Sequence, residues 1–239
     1  MNLSIRAITF DLDDTLWPFA PISERLEQVL HDWMREHSPY TAERFPIAAM
    51  RALRDRVHIE NPHLHHDLSR LRRITLERAL YESGGDPALA EPAFEAFYAA
   101  RSQVEYYPDT IVALRRISAK RPIAAVSNGN ADLARIGLAS LFAFQLGARE
   151  HGASKPEPSI FHAACARLDL PCAQVLHVGD HPEMDVAGAV RAGLRSCWLN
   201  REAQDWERSD VHPDLTFPHL IALADWLDAH PLSQESDIS

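Results

Sequence analysis

The apolar positions follow two different patterns along the chain. The run Ile8-Thr9-Phe10 is short and uninterrupted, as expected of a strand buried on both faces of a parallel sheet. After Leu16-Trp17-Pro18 the pattern turns helical: Leu26, Val29, Leu30, Trp33 and Met34 share one helix face. Further helices are predicted near 43–56, 66–82 and 88–104. The 66–82 helix carries Leu68, Leu71, Leu76, Ala79 and Leu80 on one side and stops at Gly84-Gly85. From Tyr107-Pro108 onward strands alternate with helices. Strands are predicted at Pro122–Val126, Phe144–Leu146, Gln174–Val178 and Arg195–Leu199, and helices near 109–119, 131–140, 157–168, 185–192 and 218–229. Such alternation builds an α/β fold, a doubly wound, Rossmann-like parallel sheet. Residues 1–16 and 106–230 then form the core domain, 17–105 a helical insertion, and 231–239 a loose polar tail.

Composition narrows the function classes. With 239 residues and 46% hydrophobic content the chain can bury a substantial core. No apolar run approaches the roughly 18 residues of a membrane span, and no secretory pattern opens the chain, so a cytoplasmic location without membrane partner is expected. Cys165, Cys172 and Cys197 lack Cys-x-x-Cys spacing and read as buried small hydrophobes. A net charge of −10 argues against a nucleic-acid partner, because phosphate backbones demand a basic patch. An anionic substrate would therefore be met by a local site.

That local site is suggested where strands end. Asp11, Asp13 and Asp14 follow the first strand, and three carboxylates there repel one another unless a cation joins them or one takes a proton. An acidic turn capping the strand produces the same local pattern, so the remaining strand ends must discriminate. The second predicted strand runs into Ser127-Asn128-Gly129-Asn130, whose hydroxyl and backbone N–H groups suit phosphate oxygens. The fourth runs into Gly179-Asp180, with Asp185 five residues on, where it also fits a helix N-cap. Of the 24 basic residues only Lys120 and Lys155 are lysines, and Lys155 lies in the Pro-rich loop Ser154-Lys155-Pro156-Glu157-Pro158. A compact ammonium can reach a small anion and a carboxylate together where the broad guanidinium fork does not fit. Ligands of open α/β sheets bind beyond the carboxyl ends of the strands, so these segments are expected to converge.

In this order Asp11-Leu12-Asp13-Asp14-Thr15, Ser127, Lys155 and Gly179-Asp180 with Asp185 closely resemble the four motifs of the haloacid dehalogenase-like hydrolase superfamily. The match covers residues 1–20 and about 105–200, and the helical block 17–105 is similar to that superfamily's inserted α-helical cap. The resemblance implies a sheet order of 5-4-1-2-3 and a phosphatase that works through an aspartyl-phosphate. It implies Asp11 as nucleophile, Asp13 as acid and base, Lys155 as a catalytic and phosphate-binding cation, and Ser127 and Asn128 as further phosphate contacts. Mg²⁺ would be held by Asp11, Asp13 through its backbone carbonyl, and Asp180, with Thr15 and Asp185 in support. Leu12–Trp17, Ser127–Asn130 and His66–Arg72 further resemble the flavin mononucleotide phosphatase subgroup, whose members also act on a ribitylaminouracil phosphate. The implied substrate is a small phosphomonoester, and the implied assembly a monomer or homodimer.

Two other activities share parts of this constellation. A dehalogenase keeps the nucleophile but needs no acid for a halide leaving group, so Asp13 and Asp180 count against it. A phospho-receiver module shares the paired acids and the lysine, yet has no use for a helical lid. The loop Asn61-Pro62-His63-Leu64-His65-His66-Asp67 carries possible metal ligands, but its pattern fits a solvated loop that caps the following helix.

Overall fold

The structure, a computed structural model, describes residues 4–231. The expected tail thus lies, except for Pro231, outside the described residues. The chain packs into two units: one comprises residues up to Trp17, Tyr106–Gly129 and the chain from Gly137 on, the other Pro18–Glu105 and Asn130–Ile136.

The first unit is built on a six-stranded sheet of order β3-β2-β1-β4-β5-β6, with strands β1 (Ala7–Phe10), β2 (Ile123–Ser127), β3 (Gln145–Gly147), β4 (Val175–Gly179), β5 (Arg195–Leu199) and β6 (Leu215–Phe217). Every pairing is parallel, and the central strand β1 sets Phe10 opposite Ala125 on one side and Val178 on the other. β1, β2 and β4 are buried along their whole length, which explains their unbroken apolar runs. The first five strands follow the order expected from the resemblance. β6 is an addition that the pattern does not predict: three half-exposed or exposed residues at a sheet edge, between Pro213 and Pro218, carry too short a period to register.

Helices of the second unit are α1 (Ala20–His37), α2 (Pro39–Arg44), α3 (Ile47–Glu60), α4 (Leu68–Ser83) and α5 (Ala90–Arg101). α1 buries Ile22, Leu26, Leu30 and Met34 at a strict four-residue spacing, leaving Val29 and Trp33 half-exposed at the margin of the stripe. α4 starts on Asp67, whose side chain accepts from the Arg70 N–H at 2.8 Å, and ends on Gly84 in the left-handed region at φ 75°. Asp67 is thus the cap of the His-rich loop, and His65 Nε2 lies 3.2 Å from the His58 carbonyl oxygen. Phe45, Met50, Leu53, Val57, Leu71 and Ala79 form the centre of this unit.

The helix expected at 131–140 is broken. One turn, α7 (Leu133–Ile136), stops at Gly137 with φ 87°, and a 3-10 turn follows at Ala139–Leu141. In the first unit, α6 (Thr110–Ser118) packs against α11 (Leu220–Ala229), and the short α8 (Ala148–His151) precedes α9 (Pro158–Leu168), which lies against β2. α9 contributes Ile160, Phe161, Ala164 and Cys165 to a cluster with Val126, Leu146 and Val175, so Cys165 is indeed a core residue. No helix among the described residues is long and apolar enough to cross a membrane.

Candidate active site

β1 delivers Asp11 at its carboxyl end, where the Asp11 N–H still bonds the Val178 carbonyl at 2.9 Å. The chain then folds back tightly. Asp14 takes the left-handed region at φ 58°, its N–H donates to the Trp17 carbonyl at 2.7 Å, and Asp13 bridges to Trp17. The Trp17 indole Nε1 donates to Asp13 Oδ1 at 2.8 Å and so orients that carboxylate. Asp14 itself is exposed and serves the turn.

Lys155 enters from the loop before α9. Its side chain is almost fully buried, with Nζ 2.5 Å from Asp11 Oδ1 and 2.6 Å from Asp185 Oδ1. Asn128 positions it through the backbone: Nδ2 donates to the Lys155 carbonyl at 2.9 Å and Oδ1 accepts the Lys155 N–H at 2.7 Å. Asn128 therefore clamps the lysine, a role beyond the phosphate contact expected of it. The Ser127 hydroxyl, buried at the end of β2, accepts the Gly129 N–H at 3.0 Å.

Asp185 is not a helix N-cap. The helix starts earlier than the pattern suggests, with a π-helical turn at Pro182–Ala187 leading into α10 (Gly188–Arg191), and His181 caps it by accepting from Glu183 N and Met184 N. The wider turn carries Asp185 inward, where Oδ1 meets Lys155 and Oδ2 accepts the His181 N–H at 2.9 Å. Gly179 permits this approach, since a Cβ there would stand 2.2 Å from Asp185 Cγ. Asp180, next in the chain, has Oδ1 held by the Thr15 hydroxyl at 2.9 Å and its carbonyl by Trp198 Nε1 at 2.8 Å.

Behind these groups runs a buried relay that the sequence pattern hides. His177, inside the apolar strand β4, places Nε2 3.1 Å from Asp185 Oδ1 and Nδ1 2.9 Å from the Thr9 hydroxyl, while Phe161 packs edge-on against its ring. The only signal in the sequence is a histidine in a strand that is otherwise apolar. Further along, Arg201 donates to the Thr15 carbonyl and bridges both oxygens of Asp109 at 3.0 and 3.2 Å.

The electrostatics are those of a site with surplus negative charge. Burial opposes ionisation of Asp185, but Lys155 and His177 outweigh it and hold its carboxyl well below the usual range. Burial raises the Asp11 carboxyl well above its ordinary value in spite of Lys155, and Asp185 and Asp180 add to the rise. Asp180 is pushed up to about 7 by burial and then by Asp185. Burial likewise lowers His177 and keeps it neutral. One oxygen each from Asp11, Asp180 and Asp185 fall within 4.8 Å of one another. Asp185 spends both oxygens on Lys155, His177 and His181, so Asp11 and Asp180 are left with an oxygen each that takes no hydrogen bond from the described residues. An all-oxygen donor set with one lysine against three carboxylates fits a hard divalent cation.

A family model described as haloacid dehalogenase-like hydrolase matches residues 5–193, which spans Asp11, Asp13, Ser127, Lys155, Asp180 and Asp185. The chain belongs to that family. As a member it is a hydrolase. It is 34% identical over 230 residues to the 5-amino-6-(5-phospho-D-ribitylamino)uracil phosphatase YigB of Escherichia coli (strain K12), covering 92% of this chain and 94% of that one. A phosphoserine phosphatase of Thermus thermophilus is 33% identical over 150 residues, 60% of each chain. Among solved structures of haloacid dehalogenase-like type, one described as a 2-haloacid dehalogenase from Pseudomonas syringae pv. Tomato DC3000 superposes with a TM-score of 0.88 at 37% identity, covering 94% of this chain and 99% of that one.

Proposed function

We propose that the chain is a Mg²⁺-dependent phosphomonoesterase that forms an aspartyl-phosphate on Asp11. The reading rests chiefly on the excess of carboxylate: Asp11, Asp180 and Asp185 surround one buried lysine, and Asp11 and Asp180 keep an oxygen each for a cation. Asp11, Asp180 and the backbone carbonyl of Asp13 would hold Mg²⁺, which would supply charge neutralisation of the phosphate and of the nucleophile. That help is needed, because a carboxylate about 4 Å from a phosphate opposes approach by about 4 kcal/mol per charge pair at an effective dielectric of about 20.

The protein's own groups divide the remaining work. Lys155, fixed by Asn128 and Asp185, binds phosphate oxygens beside Asp11, and the Ser127 hydroxyl holds another. An Asp11 oxygen attacks phosphorus as the ester P–O bond breaks, and Asp13, held by Trp17, gives its proton to the leaving alkoxide. Asp13 then takes a proton from water as that water attacks phosphorus, releasing inorganic phosphate and restoring the Asp11 carboxylate. The helical unit acts as the cap that selects the leaving group. The substrate class is a ribityl phosphate, which the similarity to YigB supports, or flavin mononucleotide.

The 0.88 superposition on a protein described as a 2-haloacid dehalogenase favours a second reading, halide displacement by Asp11. One experiment separates them: release of phosphate from a phosphomonoester panel, with Mg²⁺ and with it chelated, beside release of chloride from 2-chloropropionate. Metal-dependent phosphate release carries the first reading; chloride release that survives chelation carries the second.

A further inference from the structure

Asp11 and Asp185 share Lys155, whereas Asp180 forms no ion pair with a described residue. Neutral donors set its orientation instead. The Thr15 hydroxyl donates to Asp180 Oδ1 at 2.9 Å, and the Trp198 indole Nε1 donates to the Asp180 main-chain carbonyl at 2.8 Å. Each donor is itself fixed from behind. Thr15 is fully buried, and its carbonyl accepts from Arg201 Nε at 3.3 Å and Nη2 at 2.9 Å. The Arg201 guanidinium bridges both oxygens of Asp109 at 3.0 and 3.2 Å and lies 3.9 Å from the centroid of the Tyr107 ring. Trp198 meets the Trp206 ring edge to face at 4.9 Å between centroids, and Trp206 Nε1 is anchored on the Val211 carbonyl at 2.9 Å.

Trp198 belongs to β5, and Arg201 and Trp206 follow it, so one stretch of chain reaches Asp180 by two routes. That stretch lies beyond residue 193, where the family match ends, and outside all four motifs. A carboxylate tied at Oδ1 and at its own carbonyl keeps one rotamer before a cation arrives, so binding carries no cost of ordering that side chain. Outer partners of this kind set the geometry of a metal-binding residue and with it the affinity of the site. Arginine suits the task at 201, because its planar fork holds the Asp109 carboxylate and the Thr15 carbonyl at fixed angles. At 198 only an indole supplies both a ring for Trp206 and an N–H for Asp180.

We propose that Arg201, through Thr15, and Trp198, through the Asp180 main chain, are positioning residues that hold the Asp180 carboxylate ready for a divalent cation, resting on the cation of the proposed function. The test needs no turnover: Mn²⁺ is titrated into the protein without substrate, and the free ion is followed by electron paramagnetic resonance. The wild type is expected to bind it, and Arg201→Met and Trp198→Phe to bind it about tenfold more weakly each. Arg201→Lys, which keeps a donor for the Thr15 carbonyl, recovers part of the loss. Thr15→Val removes the hydroxyl and is expected to match Arg201→Met. Because Arg201 acts through that hydroxyl, Arg201→Met then adds nothing to Thr15→Val, whereas Trp198→Phe adds its full factor. A residue that only stabilises the fold would move the urea midpoint and leave the Mn²⁺ affinity of the folded protein alone. Unchanged affinity in Arg201→Met or in Trp198→Phe, or a full further loss when Arg201→Met joins Thr15→Val, overturns the positioning role while the cation reading stands. If the wild type binds no Mn²⁺, the cation reading falls and the positioning role with it. Should Arg201→Met fail to fold, Arg201→Lys carries the same cycle, with a smaller loss alone and none on Thr15→Val.

Discussion

In the α/β unit the buried cation Lys155 lies 2.5 and 2.6 Å from two carboxylates, whereas in the helical unit Arg72 has an aromatic face beneath it and no carboxylate of its own. Both groups suffer desolvation, yet with opposite results. Lys155 is raised above its ordinary pKa because Asp11 and Asp185 outweigh its burial, and Arg72 is lowered because nothing does. The first arrangement is complete as far as the cation is concerned and over-supplied with negative charge. The second lacks a negative partner. The two cations thus differ in their surroundings: carboxylates in excess around one, an aromatic face without a carboxylate beneath the other.

Five substitutions probe this contrast, beginning with the largest effect. Asp11→Asn removes the proposed nucleophile and a proposed metal oxygen together, so phosphate release is expected to fall to background while circular dichroism shows an unchanged fold. Asp13→Asn is expected to cost about 10² to 10⁴ in kcat, the usual worth of general acid–base catalysis, read as steady-state phosphate release. Lys155→Met leaves Asp11 and Asp185 without their shared cation and is expected to cost about 3–5 kcal/mol in urea unfolding, as for other broken buried pairs.

A remote pair tests whether compensation alone explains the contrast. Asp109 lies behind the candidate site, and although burial raises its pKa, Arg201 and the Leu220 N–H outweigh this and set it below the ordinary value. A depressed carboxyl contributes stability that is complete above its unfolded pKa of about 4 and is lost as pH falls through the lower folded value. Asp109→Asn is therefore expected to cost about 1–3 kcal/mol at pH 7, and the gap from the wild type to shrink in unfolding curves taken below about pH 4. The smallest effect is expected at Arg72: removing a charge without a counter-ion in Arg72→Met should shift stability by less than about 1 kcal/mol, the lost ring contact offsetting the relieved burial. A loss as large as that of Lys155→Met would show that Arg72 is a structural cation after all.

Local pattern carried the fold a long way. A strand buried on both faces has to be apolar throughout, so β1, β2 and β4 are visible as runs, and a helix with one covered side has to repeat its apolar residues, so Leu26, Leu30 and Met34 mark α1. β6 escaped because three residues at a sheet edge, half-exposed or exposed, need no pattern, and the helix expected at 131–140 was cut short because one left-handed glycine outweighs its neighbours' helical preference. Within the candidate site, chemically costly residues were legible by type and place: Asp11 at a strand end, Asp180 after a glycine, Lys155 as one of two lysines.

The sequence alone therefore determined the kinds of layer, the helical insertion and the identity of the charged groups, because these follow from burial and propensity along a few neighbouring residues. Tertiary structure alone decided which groups meet. Lys155 reaches Asp11 across 144 residues of chain, Asn128 becomes a clamp on Lys155, His177 turns from a strand residue into the support of Asp185, and a π-helical turn moves Asp185 from a cap to an ion pair. Glu27 likewise pairs with Arg51 and Arg54 and not with Arg72, which only the packing of the helices decides. Periodicity records whether a side chain is covered, whereas hydrogen bonds and ion pairs depend on positions in space that the folding of distant segments brings within 3 Å or so of one another.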